Sequence, residues 1–506
     1  PYSSKLLMAL IYGSADSQQS GEISRKVKAG KLRKLASKLY TDDLRTEPAE
    51  IIRRHRMEIA VHFYPSAVIS HRSALEGTLS PAGKLHLSLP RKSAPMRKLP
   101  GLEIRIWEGP AARQDDTRTA ALDDGSCLYM ASQARAVLEN FQIARARAND
   151  EPKILSLEDL EKWFDRQLRI LGNGGSQWLD ELLEDARLLA QEFDWKREWE
   201  ALEEFVRALR GKPSDYALNT DLSRSRAAGK PYDPERLQLF NELKAQLALQ
   251  TFVELPAPPV AELENRAFWE SYFSNYIEGT EFSVEEAQEI VNETDTAKAL
   301  ERNRPEDAHD ILETYRLIVD NKISGKVAAN PQRYIELIKI RHARMMASRA
   351  DVSPGVFKER NNEVGSRVFV RPELVGETIV RGWQSGRDLS SATARAFFML
   401  FVVSEVHPFQ DGNGRISRLG MNAVLEDAGL TRLILPTSFR NDYLTVLEAL
   451  TINGNAKPYC LFAHKLIELN SRMPLYSFEA AHGYYKKTGA LDKPKQANIN
   501  LLPFIQ

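Results

Sequence analysis

The sequence predicts a mainly α-helical protein of several domains, with a small mixed α/β region toward its N-terminal end. Three observations carry this. A chain of 506 residues exceeds what one hydrophobic core serves, and ordinary domain sizes give three or four units. Apolar residues recur with helical spacing through nearly all of residues 261–470. Period-two alternation is confined to short runs, Lys84–Leu89 and Leu102–Trp107, each bounded by proline and glycine, which marks strands.

Each segment follows from similar signals. Lys and Arg number 69, and so do Asp and Glu, so no net charge draws the whole chain to an anionic partner. The first hundred residues are nevertheless basic, with eighteen Lys and Arg against eight Asp and Glu. The run Arg25–Lys34 reads as a helix end, a stop at Gly30 and a short strand. Arg53–Tyr64 has helical spacing, and residues 119–146 read as helix. Residues 155–210 read as a helical hairpin, capped at Ser156 and broken at Gly172–Gly175, that spaces two functional ends. The Gly-, Pro- and Ser-rich residues 211–233 read as a linker, and Pro256–Pro259 as a second joint. Val356–Val370 reads as a β-hairpin. The polar residues beyond about 485 read as a loose tail in which Leu501–Ile505 is apolar enough to dock.

Two distant cysteines, Cys127 and Cys460, have neither metal nor disulfide spacing. Phe397–Val403 is too short to cross a bilayer, and the N-terminal residues lack a signal-peptide pattern. A cytoplasmic location without a membrane partner is the expectation. Histidines such as His62, His71, His342 and His464 lack the pairing of a zinc site and read as structural.

The most informative stretch is His407-Pro408-Phe409-Gln410-Asp411-Gly412-Asn413-Gly414-Arg415-Ile416-Ser417-Arg418. It joins two helices and opens the second, where unpaired backbone N–H groups and the positive dipole end attract phosphate. Gly412 and Gly414 let the backbone approach a polyanion, and Arg415 and Arg418 add cations. Asp411 is a hard oxygen donor suited to Mg²⁺. His407 is a base that titrates near neutrality. The parts suit in-line attack at phosphorus.

This string resembles the signature of the Fic family, His-Pro-Phe-x-Asp/Glu-Gly-Asn-Gly-Arg-x-x-Arg, without departure, and the likeness covers about residues 260–470. The resemblance implies an all-helical core with a β-hairpin flap near residues 357–370 that aligns a target segment. It implies a protein adenylyltransferase that moves AMP from ATP to a protein hydroxyl. His407 would deprotonate that hydroxyl and Asp411 would hold Mg²⁺. Gly412, Asn413 and Gly414 would form the anion nest. Arg415 would hold the phosphates, Arg418 the γ-phosphate, and Tyr443 would lie near the base. Doc-like members, which transfer phosphate, carry a lysine in place of the second glycine, so Gly414 keeps the AMP-transferring pattern. Another nucleotide or a phosphocholine donor stays open.

Upstream, Ser274 and Glu278 lie four apart on one helix face, and Gly279 suits a helix end. The segment resembles the family's inhibitory motif, Ser/Thr-x-x-x-Glu-Gly/Asn. That implies a bidentate pair between Glu278 and Arg418 that denies the cation to the γ-phosphate. In some members the same glutamate positions a water that removes AMP, and the sequence leaves both directions open.

Residues 20–80 are similar to AbiEi-type antitoxins and related winged-helix regulators, carried by Ile23–Leu35 and Tyr64–Leu75. The resemblance implies a recognition helix and wing that place Lys and Arg on DNA phosphates. The expected divisions are a winged-helix-like module (1–75), a small α/β region (76–150), a helical spacer (151–225), a helical region with the inhibitory motif (226–300), the Fic core (301–470) and a tail (471–506). A DNA-binding regulator whose Fic part senses nucleotide is the alternative from another class. A homodimer is a further expectation from the family.

Overall fold

The computed structural model describes residues 10–13, 16–91, 95–144, 150–293, 304–320, 323, 325–364 and 367–492. The chain forms two compact units, Pro1–Ala227 and Ala228–Gln506.

In the first unit, the helix Ser17–Lys28 starts at Asp16, whose side chain accepts the Gln18 N–H at 2.9 Å. It stops before Gly30, whose φ of +67° suits glycine. Strands β1 (Leu10–Tyr12), β2 (Arg33–Ala36) and β3 (Leu39–Thr41) follow the order β1-β3-β2. The basic helix, turn and strand therefore occur as expected, and no residue of that helix is buried. Arg53–Tyr64 is split at His55 between the helices Pro48–Arg54 and Arg56–Phe63.

A second sheet contains β4 (Val68–Ile69), β5 (Lys84–Leu89), β6 (Arg97–Leu99), β7 (Leu102–Glu108), β8 (Thr117–Ala121) and β9 (Cys127–Met130), in the order β6-β7-β5-β4-β9-β8. The helix expected over 119–146 is thus a hairpin followed by a short helix, Gln133–Asn140. Asp124-Gly125, with Gly125 at φ +87°, makes the turn, and this outweighs the helical preference of the flanking alanines. Leu85, Leu87, Ile104 and Ile106 face an apolar core shared with Ile52 and Ile59, while Lys84, His86 and Ser88 alternate with them and are buried as well.

The segment expected as a spacer is three helices, Leu157–Leu171, Gly175–Phe193 and Lys196–Leu209. They share one core with Val68, Leu75 and Val137, so they belong to this unit's interior wall. The expected linker is docked too. Buried Glu161 accepts the N–H groups of Asn219 and Thr220, each at 2.7 Å, and Arg226 of the helix Asp221–Ala227 pairs with buried Asp165. These polar anchors are sparse in sequence, which is why composition alone reads as loop.

The second unit is helical. Its central helix, Ala392–Val406, is buried on every face except at Arg395, because its sequence is apolar all round. The helix Asn413–Asp427 follows it. Packed on this pair are Pro234–Ala248, Leu263–Ile277, Pro305–Val319, Pro331–Met345, Pro372–Gly386, Arg440–Asn453 and Lys457–Ser471. Proline opens several of these helices, where its missing N–H costs nothing. The Pro256–Pro259 joint is held: Pro256 bridges Leu430, and the Ala257 N–H reaches the Gly429 carbonyl at 3.0 Å. The expected tail begins with a helix, Phe478–Thr488, whose Phe478 stacks on Trp269. Leu501–Ile505 lies outside the described residues. Among the described residues no helix is long and apolar enough to cross a membrane.

The hairpin expected at 356–370 is present as Glu363–Val364 paired with Arg367–Val368, and residues 365–366 at its tip lie outside the described residues.

Candidate active site

The loop between the two central helices is shaped by its own side chains. His407 ends the first helix in the left-handed region, at φ +53°. Asn413 then clamps the loop, accepting the Phe409 N–H at 2.8 Å and donating to the Phe409 carbonyl at 2.9 Å. Its side chain is thereby committed to the loop, and only its backbone N–H is left for an anion. His342 lies flat on Phe409, with ring centres 3.8 Å apart, and contacts the Asp411 carbonyl at 3.0 Å. The Gly355 N–H donates to His342 Nδ1, so the proton sits on Nε2 and is given to Asp411. Gly412 turns the chain at φ +76°, with Met345, Met346 and His342 packed where a Cβ would stand. The first N–H groups of the next helix, at Asn413, Gly414 and Arg415, precede its first intrahelical bond, from Ile416 to Gly412 at 3.0 Å.

His407 is held by neighbours from three segments. Its ring stacks on Phe369, at 3.8 Å and 12°, and Nδ1 lies 3.4 Å from the Ser404 carbonyl. A carbonyl only accepts, so Nδ1 carries the proton and Nε2 is the free base. Burial, with Lys358 and Arg367 nearby, pushes its pKa down to about 4. His342 is pushed down to about 4 as well, chiefly by burial. Both rings are neutral in the fold, whereas in the unfolded chain they titrate near about 6.5. Between about 6.5 and 4 the unfolded chain therefore binds more protons, and stability falls as pH falls through that window. The slope is at most about 1.4 kcal/mol per pH unit for each histidine. Urea midpoints measured at pH 7 and pH 5 should show the lower value at pH 5.

The flap is attached to the same helix as His407. Glu405, fully buried, forms an ion pair with Arg236 at 3.0 Å and accepts from the Thr451 hydroxyl at 2.7 Å and from Arg367 of the hairpin. Arg236 also donates to the Val368 carbonyl at 2.8 Å. At the hairpin's base, the Lys358 N–H donates to the Pro408 carbonyl at 2.9 Å and Asn362 to the Phe409 carbonyl at 2.8 Å. Glu405→Ala would leave two guanidinium groups facing an empty buried site. It should cost about 3–5 kcal/mol, read by denaturant unfolding.

Two expected nucleotide contacts, Arg415 for the phosphates and Tyr443 near the base, take other partners in this structure. The Arg415 guanidinium is buried and bound to Asp310 at 2.5 Å and Asn275 at 3.3 Å, so it holds the motif helix to its neighbours. Tyr443 is 2 % exposed, and its hydroxyl meets the Ser404 hydroxyl at 3.2 Å, so it is a core residue and not a wall of an open nucleotide pocket. Asp411 fits its expected place better. Its carboxylate is exposed, one oxygen accepts the Gly412 N–H at 2.6 Å, and the other stands 3.7 Å from Arg415.

Ser274 and Glu278 meet the motif as their spacing predicts, but the expected bidentate pair is a single Glu278–Arg418 contact, because Arg418 Nε is taken by Ser274. Arg418 Nε donates to the Ser274 hydroxyl at 3.1 Å, and its terminal nitrogen donates to the Ser274 carbonyl at 2.9 Å and to the Glu278 carboxylate at 2.7 Å. The same Glu278 oxygen lies 2.1 Å from where a Cβ on Gly414 would stand. The helix that delivers it, Leu263–Ile277, is fixed in register by Glu270, which takes Arg432 in a fork at 2.7 Å and Asn422 at 2.8 Å. Arg440 caps its last turn through the Ile277 carbonyl at 2.8 Å, and Gly279 leaves the helix at φ +97°.

A cavity of about 560 Å³ opens beside Asp411, lined also by Lys358, Arg360 and Gln410. Burial, with Arg236 nearby, lowers the Lys358 pKa to about 7. Sequence reasoning missed Asp310, Asn275, Glu405, Arg236 and Phe369, none of which stands in a local pattern with its partner.

Residues 334–425 match the model of the Fic/DOC family, and this chain carries a domain of that family. It is 25 % identical over 274 residues, 52 % of the chain and 61 % of the relative, to the protein adenylyltransferase Fic of Nematostella vectensis. It is 38 % identical over 96 residues, 18 % of the chain and 66 % of the relative, to a Fido domain-containing protein of Dictyostelium discoideum. Fic-1 of C. elegans aligns at 17 % identity and a TM-score of 0.34, covering 66 % of this chain and 99 % of that one. The chain spans less than two thirds of the length of the curated relatives it matches first.

Proposed function

We propose that this chain transfers AMP from ATP to a protein hydroxyl, and that Glu278 restrains the reaction at rest. The observation that carries the proposal is Glu278 lying across Gly414 onto Arg418, at the mouth of a loop whose base is His407. His407 Nε2 takes the proton of the target hydroxyl, whose oxygen attacks the α-phosphorus. The bond to diphosphate breaks, and the helix N–H groups at 413–415 hold the developing charge. The flap supplies a strand edge for the target segment.

Asp411 is the residue that would hold Mg²⁺. Its exposed carboxylate retains lone pairs toward the loop mouth, and this ion is usually held by one or two carboxylates plus substrate phosphates. The ion would neutralise phosphate charge and orient the diphosphate.

The test uses ATP labelled at either end. Label on the α-phosphate should become covalently attached to protein, the enzyme itself included, while label on the γ-phosphate should not. Attachment of the γ-label would establish phosphate transfer, and no attachment from either would point to another donor.

A second reading, AMP removal, draws support from the partial exposure of the Glu278 carboxylate, whose side chain is 31 % accessible and able to orient a water. It predicts release of AMP from a pre-AMPylated protein, lost in Glu278→Gln. For residues 20–80 we propose DNA binding, supported by a basic helix with no buried residue followed by the β2–β3 hairpin. A duplex bound at low salt should be released at high salt, and binding that survives Arg25→Glu with Lys26→Glu would refute it.

A further inference from the structure

One face of the second sheet in the N-terminal unit is polar and yet buried, and it has no part in the site above. On β5, His86 is completely inaccessible, with Lys84 and Ser88 on either side of it along the same face. In register on parallel β7 stand Arg105, opposite His86, and Trp107, opposite Ser88. The other face of these strands is the apolar core.

The hydrogen bonding of His86 fixes its tautomer. Trp107 Nε1 lies 2.9 Å from His86 Nδ1. An indole N–H can only donate, so Nδ1 is the acceptor and the proton sits on Nε2. Nε2 is buried and has no hydrogen-bond partner among the described residues. Leaving a buried donor unmade costs about 1–3 kcal/mol, so its retention asks for an acceptor. Burial, with Arg72, Lys84, Arg105 and Lys153 around it, lowers the His86 pKa to about 3, so the ring offers one N–H and no charge.

The surroundings supply the charge. Arg72, Lys84 and Arg105 are shared with Glu76, Glu151, Asp150 and Glu103. Lys153 differs: its ammonium donates to Gln142 at 2.6 Å and lies 5.4 Å from the Trp107 ring, with no carboxylate in ion-pair range among the described residues. His71 sits beside them at φ +53°, a strained conformation for a histidine, held by Glu139, Ser70 and Gln142. His86, Lys98, Arg105, Trp107 and Lys153 line a cavity of about 730 Å³, within the range of small-molecule sites.

We propose that this cavity is a second ligand site, taking a small phosphate-bearing anion whose oxygens accept from His86 Nε2 and pair with Lys153. A phosphate offers several acceptors at once, so one group meets both donors. Trp107 provides a flat apolar surface beside it, which a nucleobase would use and free phosphate would not. The proposal is independent of the transfer reaction.

The test is a titration of the full chain, carrying ¹⁵N-labelled histidine, with inorganic phosphate and separately with AMP, read on the imidazole signals. The His86 Nε2–H signal is identified by its loss in His86→Gln. It should move saturably with at least one of the two anions. Lys153→Gln should weaken that binding roughly tenfold or more while leaving the thermal midpoint in place. Tighter binding of AMP supports a nucleotide ligand, and equal binding supports the phosphate group alone. A signal unmoved by either anion at millimolar concentration, or moved equally in Lys153→Gln, overturns the proposal.

Discussion

Glu278→Gly is expected to raise attachment of α-phosphate label on the order of 10- to 100-fold over the unaltered chain, within the usual range of a coupling between two sites. The cause is local. Among the described residues Arg418 donates to the Ser274 hydroxyl, the Ser274 carbonyl and the Glu278 carboxylate, of which the last, at 2.7 Å, is the charged one. Glycine removes that charge and empties the space above Gly414. Ser274 remains on Arg418, so the guanidinium stays in place while becoming available to a phosphate. Glu278→Gln separates charge from bulk: the amide keeps the shape, loses the ion pair, and should release only part of the activity. Labelling that is equal in the unaltered chain and Glu278→Gly would show that Glu278 does not restrain the site.

His407→Ala should lower labelling by on the order of 10²- to 10⁴-fold, the usual contribution of a general base, and should do so even in the Glu278→Gly background. Nucleotide binding should be nearly unchanged, because on the proposed function the phosphates are held by groups of residues 412–418 and not by His407. The pH profile gives a second handle. With its pKa near 4, the ring is already the free base at pH 7, so the rate should hold as pH is lowered through 6 and fall only on approach to 4. A rate that halves near pH 6.5 would mean that the Phe369 stack and the burial of His407 are lost in the working state.

The motif loop and the contact of Ser274 and Glu278 with Arg418 were legible because each comes from a contiguous string with a fixed spacing. Ser274 and Glu278 needed only helical spacing to be placed on one face, and the structure brings that face to Arg418. The partners of Arg415 and Tyr443 were not legible. Arg415 finds Asp310 across 105 residues, and a buried carboxylate in one helix leaves no mark near the motif. Tyr443 carries a polar tip on a helix of low amphipathicity, so its burial depends on how Lys457–Ser471 packs over it. The Glu405 anchor was hidden for the same reason: its ion-pair and hydrogen-bond partners come from residues 236, 367 and 451. In the first unit, Ala120 and Ala121 favoured helix locally, and the strand pairing of Thr117–Ala121 with Cys127–Met130 prevailed.

Gly414 ties restraint and reaction to one missing methyl group. A Cβ at that position would overlap a Glu278 oxygen, so any other residue there displaces the glutamate, and on the proposed function it also crowds the phosphates. Loss of the restraint and impairment of the anion cradle would then arrive in the same mutational step. On the proposed function, a variant freed of the restraint is reached through residue 278 and not through residue 414.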